Sequence, residues 1–323
     1  MNDKTVAEWG KRWLEQQPKP PRLFDLQNYG RLCGMARRKD SPRQLSRGAL
    51  YNIRVHLEKA IMNHVRGRKD RFNVLFKGDV FGRSSKQGVS FRLGLESCMP
   101  SPLCIDKCYA HDGRDAAPMS VQRGAYNSLI AELWENGDRQ EHNQLTYLLV
   151  PKIRQAVKLS LKDARESPFR RSPRIRFSHV GDIARYPRFA NWVAGQCQLE
   201  VALLKDNRAP LTCVTYTRHK KAKLLDPEKW QIVFSMDASS YPGRLNWIPK
   251  NAIHAWAAFD GIAQGAGVAN VVFAEHHGAR RLPARVQANC PLRLLPFICP
   301  STLKGNPHGC DNNRCDFCYR PFP

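Results

Sequence analysis

The residues best suited to chemistry are cysteines. Seven of the eleven in the chain fall into two tight groups. The first is ESCMPSPLCIDKCYA, with the spacing Cys98-x5-Cys104-x3-Cys108. Three thiolates on one short segment can hold three irons of a [4Fe–4S] cluster and leave the fourth iron open to another ligand. Thiolates serve iron–sulfur clusters and zinc alike. Structural zinc more often takes four ligands from paired C-x2-C knuckles, which this segment lacks. Three thiols within eleven residues also argue against ordinary core cysteines. Pro100 and Pro102 predict an extended, non-helical loop that lets the sulfurs converge. His111 is the nearest candidate for a fourth ligand, although a lone loop histidine is more often simply exposed.

The second group is ICPSTLKGNPHGCDNNRCDFCYRP, with the spacing Cys299-x10-Cys310-x4-Cys315-x2-Cys318. Its C-x2-C pair is a knuckle, and four thiolates complete a closed site, the pattern of a structural or electron-carrying centre. Either a second [4Fe–4S] cluster or zinc fits. Cys290 can stand in for Cys299, and His308 is a weaker substitute. Gly305, Pro307 and Gly309 let the chain turn around the ion. Cys197 falls on an apolar helix face and Cys213 within an apolar strand, so both read as core. Cys33 stands alone.

The elements that must position these groups alternate. Helices are expected at Pro118 to Glu135, Gln140 to Arg165 and Pro187 to Leu204. Strands are expected at Arg174 to Val180, Leu211 to Tyr216, Trp230 to Met236, His254 to Phe259 and Asn270 to Ala274. Strands alternating with helices imply a parallel sheet with right-handed crossovers. The units are too few for an eightfold barrel. The fold class is therefore α/β, a partial or open (β/α) barrel. A basic α-rich region precedes it (1–92), the core with the first cysteine group spans 93–289, and a cysteine-rich segment follows (290–323). In the basic region Leu50, Ile53, Leu57, Ile61 and Val65 share one helical face, and Arg54, Lys59 and Arg66 are expected on the other. RFNVLFKGDV and GVSFRLGL read as two strands joined by a Gly/Ser loop.

Charge points to the partner. Fifty-two Lys and Arg against 28 Asp and Glu give a formal charge of +24. Between residues 31 and 92 sixteen basic residues face four acids. Such an excess draws polyanions, of which nucleic acid is the commonest in a cell. Arg37, Arg38, Lys39, Arg66, Arg68, Lys69, Arg170 and Arg171 are the candidate phosphate contacts. Trp9, Trp13, Tyr29 and Tyr51 are candidate stacking platforms, with core packing the commoner fate of such residues. The polar first residues lack the apolar stretch of an export signal, and no apolar run approaches the ~20 residues that span a bilayer. Free thiols in tight groups suit a reducing cytoplasm.

The ordered set of motifs resembles the phage "gene product 88" family over about two-thirds of the chain. The likeness begins at Cys108, Tyr109 and Ala110. It continues through RIRFSHVGD, ending at Gly181 and Asp182, then Tyr216, Thr217, Arg218 and His219, and then Val233 to Met236. It closes on Cys299, Pro300 and the Cys315/Cys318 pair. The cysteine loop is also similar, more distantly, to radical S-adenosylmethionine enzymes, whose usual spacing is C-x3-C-x2-C. That resemblance implies a partial (β/α) barrel, with S-adenosylmethionine on the open iron cleaved by electron transfer to a carbon radical. On this reading Gly181 and Asp182 end a strand where α/β ligands bind, Gly181 allows close approach, Asp182 meets an amine or ribose, and His179 serves as acid or base. A plain turn accounts for Gly181 and Asp182 equally well. The alternative is a non-catalytic DNA- or RNA-binding protein stapled by its metal sites. A nuclease using Asp182, Asp237 and Glu275 would require those carboxylates to converge.

Overall fold

A computed structural model of the chain describes residues 3–15, 23–35, 46–84, 88–106, 108–111, 113–166, 172–178, 180–204, 210–257, 269 and 271–273. Helices α1 (Asp3–Glu15), α2 (Leu23–Met35), α3 (Arg47–Arg66) and α4 (Arg71–Phe76) come first. A hairpin of β1 (Gly82–Ser84) and β2 (Gly88–Phe91) follows, then the one-turn helix α5 (Pro102–Asp106) and helices α6 (Pro118–Asn136) and α7 (Arg139–Glu166). The rest alternates: β3 (Arg174–Phe177), α8 (Pro187–Leu203), β4 (Thr212–Thr217), β5 (Trp230–Met236), β6 (Ile253–Ala257) and β7 (Val271–Phe273).

The seven strands form one sheet in sequential order. Only the β1–β2 pair is antiparallel; β2 to β7 run parallel. One row of the register crosses the sheet from Val89 through Ile175 and Cys213 to Trp230. The described strands leave the sheet open. Parallel neighbours in sequential order extend the sheet in one direction without a switch, so every strand from β2 onward presents its C-terminal end at the same edge. β5 shows why these segments are strands: six of its seven residues are buried, the continuous apolar run of a strand covered on both faces.

Helix α3 begins at Ser46, whose hydroxyl accepts from the Ala49 N–H at 3.1 Å, satisfying one of the first-turn donors. Its apolar face is fully buried. A single hydrophobic cluster runs from Val6, Trp9 and Trp13 through Leu50 and Ile53 to Trp256 and Ala269. Trp9, Trp13 and Tyr29 are at most 5% exposed, so packing takes them away from any role as base-stacking platforms.

Two local expectations fail. The stretch RFNVLF is helix α4, not a strand. Phe72 and Leu75, three residues apart, supply its buried face, and an apolar run this short carries no decisive period. Arg54 is not on the solvent face of α3 but wholly buried. Among the described residues no helix is long and apolar enough to cross a membrane.

Candidate functional site

The strand ends gather the candidate residues. β3 stops at Phe177, and the chain turns sharply through Ser178 and Gly181, both at positive φ (61° and 77°). Gly181 is the one residue type that fits. A Cβ there would lie 2.5 Å from Leu93 Cβ, 2.6 Å from the Gly94 carbonyl and 2.7 Å from Ser97 Oγ, on top of the backbone strain. The Ser178 hydroxyl accepts from the Ile183 N–H at 2.8 Å. The turn delivers Asp182, which is 4% exposed. Its carboxylate accepts from Thr217 Oγ1 (2.8 Å), the Arg218 N–H (3.1 Å) and the Ala184 N–H (3.1 Å), and its own N–H donates to Ser97 Oγ (2.8 Å). Asp182 thus ties the end of β3 to the end of β4 and to the segment before Cys98. Burial pushes its carboxyl up to about 6 against the pull of these donors. His179 lies outside the described residues.

Asp237, just past β5, is the second hub. It is wholly buried. Its carboxylate pairs with the Arg218 guanidinium and accepts from Ser101 Oγ (2.5 Å), Ser239 Oγ (2.8 Å) and the N–H groups of Ser239 and Ser240. Burial alone would raise this carboxyl; Arg218 and the serine hydroxyls outweigh it and hold it below its usual value. Arg244 donates to the carbonyls of Met99 (2.7 Å) and Pro100 (3.0 Å). Asp182 and Asp237 therefore do converge, but on Arg218 between them. Glu275 is outside the described residues.

The cysteine loop hangs over this edge. Cys98 follows a 3-10 turn at Leu95–Ser97. The expected non-helical course fails at Pro102, which opens α5 with Cys104 inside it. The cause is local and legible. Ser101 accepts the Cys104 N–H on its hydroxyl (3.1 Å) and the Ile105 N–H on its carbonyl (3.0 Å), and proline is at home in the first helical position after such a cap.

Helix α3 braces the loop from behind through a buried ion pair. Arg54 Nε donates to Glu58 Oε1 at 2.8 Å, both side chains fully shielded. Glu58 Oε2 accepts from the Glu96 N–H (3.1 Å), two residues before Cys98. Arg54 Nη1 donates to the carbonyls of Ala110 (2.5 Å), two residues after Cys108, and Asp115 (3.0 Å). One ion pair thus grips both ends of the three-cysteine segment. Arg47 adds a bond to the Cys108 carbonyl (3.0 Å), and Tyr51 Oη donates to the Leu95 carbonyl (3.3 Å). The pair was hidden in the sequence by the charges of its members. Positions 54 and 58 nevertheless sit beside Leu50, Leu57 and Ile61 on a helix, and an oppositely charged i, i+4 pair inside an apolar face was the available signal.

The thiols sense one another. Burial holds Cys98 well above its ordinary value, with Asp182, Cys104, Cys108 and Glu58 adding to the effect. Burial and then Cys104 push Cys108 up to about 12, opposed by the Ala110 N–H, Arg54 and Arg47. Among the described residues no group of three or more His, Cys, Asp or Glu side chains is arranged to hold a metal ion. His111 is buried, its Nδ1 2.6 Å from Tyr29 Oη. Burial, Arg54 and Arg47 push it down to about 3, so it is a neutral packing partner of Tyr29.

Other candidates scatter. Arg66 pairs with Glu132 (2.7 Å) and Arg68 with Asp70 (2.7 Å), and Lys69 is exposed beside them. Arg37, Arg38, Lys39, Arg170 and Arg171 lie outside the described residues, as do Cys290, Cys299, Cys310, Cys315, Cys318 and His308. Comparison with family models, with curated proteins and with solved structures finds no match for this chain.

Proposed function

We propose that Cys98, Cys104 and Cys108 bind a [4Fe–4S] cluster with one iron free of thiolate, in an intracellular protein that works on nucleic acid. The observation that supports this best is that the segment bearing Cys98, Cys104 and Cys108 is tied through Ser97 to Asp182 at the C-terminal edge of a parallel sheet, where α/β proteins take their ligands. Burial raises the Cys98 and Cys108 thiols, and a bound metal would draw off their protons.

The sequential order of the open, mostly parallel sheet supports the reading of a partial (β/α) barrel, and the resemblance to the phage gene product 88 family and to radical S-adenosylmethionine enzymes belongs to the same reading. Such a cluster supplies an open coordination position and single electrons. The chain's own residues do the rest. Arg54 and Glu58 fix the loop ends, Arg244 holds the backbone between Cys98 and Cys104, and Gly181 leaves room for Asp182 to approach Cys98. In the ligand-free chain Asp182 is engaged by three donors, and a ligand amine or ribose would compete for it. Cys299, Cys310, Cys315 and Cys318 form a second cluster or a zinc site. Anaerobic protein reduced with dithionite in the presence of S-adenosylmethionine is expected to release 5′-deoxyadenosine; its absence from cluster-loaded protein overturns the enzymatic reading. The +24 charge favours a second reading, a nucleic-acid binder whose metal centres are staples. That reading expects salt-sensitive binding without any such product.

A further inference from the structure

The cations of this protein divide into two populations. Several of those in the helical part are neutralised. Arg66, Arg68, Arg71, Arg92 and Arg154 pair with Glu132, Asp70, Glu141, Asp115 and Glu200, at 2.6–2.8 Å. At the C-terminal edge of the sheet Arg218 pairs with Asp237, but four other cations there do not pair. Arg185, Lys220, Lys221 and Arg244 have no carboxylate partner in an ion pair among the described residues. Three short turns (Ile183–Arg185, Lys220–Leu224 and Leu245–Trp247) pack together there. The Lys221 ammonium donates to the Arg185 carbonyl at 3.2 Å. His219, 7% exposed, sits among all four cations, its neutral ring accepting the Lys221 N–H on Nδ1 (3.1 Å).

The position of this crest matters as much as its charge. Arg185 donates to the carbonyl of Glu96 (3.2 Å), two residues before Cys98, and Arg244 to that of Met99, the residue after it. The crest therefore borders the first cysteine on both sides. Like charges held together repel, and an anion relieves that repulsion. The Lys220 and Lys221 side chains are exposed and free to meet it.

We propose that Arg185, Lys220, Lys221 and Arg244 form the subsite for the phosphodiester backbone of a nucleic-acid strand, which they lay across the strand ends beside the cysteine loop. This deepens the nucleic-acid part of the proposed function and does not depend on the cluster. Exposed Lys220 and Lys221 meet successive phosphates, half-buried Arg185 and Arg244 add positive potential behind them, and the site displaces counterions from the strand. The basic surface around Lys59 and Lys69 contributes only long-range attraction.

The test uses the full-length chain, metal-free and iron-loaded, with a labelled single-stranded oligonucleotide. Lys220→Glu/Lys221→Glu is compared with Lys59→Glu/Lys158→Glu, an equal change of net charge at exposed positions elsewhere. The crest variant is expected to weaken binding by ~10-fold or more and to lower the slope of log K against log salt by about 1–2; the control is expected to change affinity less than ~3-fold. Circular dichroism melts confirm that both variants fold. Equal weakening by the two, or none by either, overturns the proposal. Displacement of the strand by a mononucleotide at equal phosphate concentration also overturns it, since the occupant would then be a free nucleotide. Iron content is read on the same samples, so failure of the crest and failure of the cluster are seen separately.

Discussion

Two sets of cysteines in this chain differ in everything but the thiol. Cys197 on α8 and Cys213 on β4 are at most 1% exposed in the apolar core and hydrogen-bonded to each other. Cys98, Cys104 and Cys108 sit on a loop at the edge of the sheet, with Asp182, Glu58, Arg54 and Arg47 as neighbours. The first pair is held by packing. The second set is held by polar ties to its backbone: Arg54 and Arg47 beyond Cys108, Glu58 before Cys98, and Arg244 and Ser101 between Cys98 and Cys104. Packing fixes a side chain by filling space. A braced backbone fixes the chain by polar ties instead, and that difference is why the loop is the one proposed as a site.

The largest expected effect separates the two sets outright. In a Cys315→Ala/Cys318→Ala background, Cys104→Ala should abolish iron binding on anaerobic reconstitution. Cys197→Ala should retain the iron and cost about 1 kcal/mol in a urea melt. Loss of iron in the Cys197 variant would erase the distinction.

The brace is tested next. Arg54→Met strands the buried Glu58 carboxylate and should cost about 3–5 kcal/mol. The double variant Arg54→Met/Glu58→Leu should regain most of that stability, since apolar replacements of a buried pair are often near neutral. It should still let iodoacetamide alkylate Cys98 and Cys108 faster than in the parent. Stability recovered with thiol reactivity unchanged would show that the pair is packing and not a brace. Gly181→Ala, at positive φ and against Gly94 and Leu93, should cost about 2 kcal/mol or more.

A smaller effect is a titration. Burial first, then Lys221, Arg185, Lys220 and Arg244, pushes His219 down to about 4. The folded chain favours the neutral ring. Its contribution is therefore complete above the unfolded value of about 6.5 and is lost as pH falls from there towards 4. NMR titration should find the His219 midpoint below 5 in the free chain and raised when an oligonucleotide neutralises the crest. The smallest effect is Arg68→Ala, whose urea melt is expected to overlay that of the parent because the pair with Asp70 is solvated.

Much of this was legible in the sequence. The strands RIRF, TCVTYT and WQIVFSM and the helices between them announce a parallel α/β sheet by length and apolar run, and the cysteine spacing points to the loop. What was hidden depends on tertiary choice. RFNVLF is too short to declare its period, and the packing of Phe72 and Leu75 decides it as helix. Pro102 suggests an interrupted loop until Ser101 is recognised as a cap. Arg54, Trp9 and Trp13 read as solvent-facing or ligand-facing residues, yet lie buried because α1 and α3 close over the same core as the sheet. Charge alone did not tell neutralised cations such as Arg68 from exposed ones such as Lys220; that requires knowing which carboxylates stand nearby.

The most direct test of the central claim is low-temperature electron paramagnetic resonance, with iron and sulfide analysis, on anaerobically purified full-length protein reduced with dithionite and carrying Cys315→Ala/Cys318→Ala. The account predicts about four irons per chain and a reduced-cluster signal that disappears with Cys98→Ala, Cys104→Ala or Cys108→Ala. Protein that holds zinc instead, or that holds no metal while all three loop thiols react freely with alkylating reagent, would contradict it.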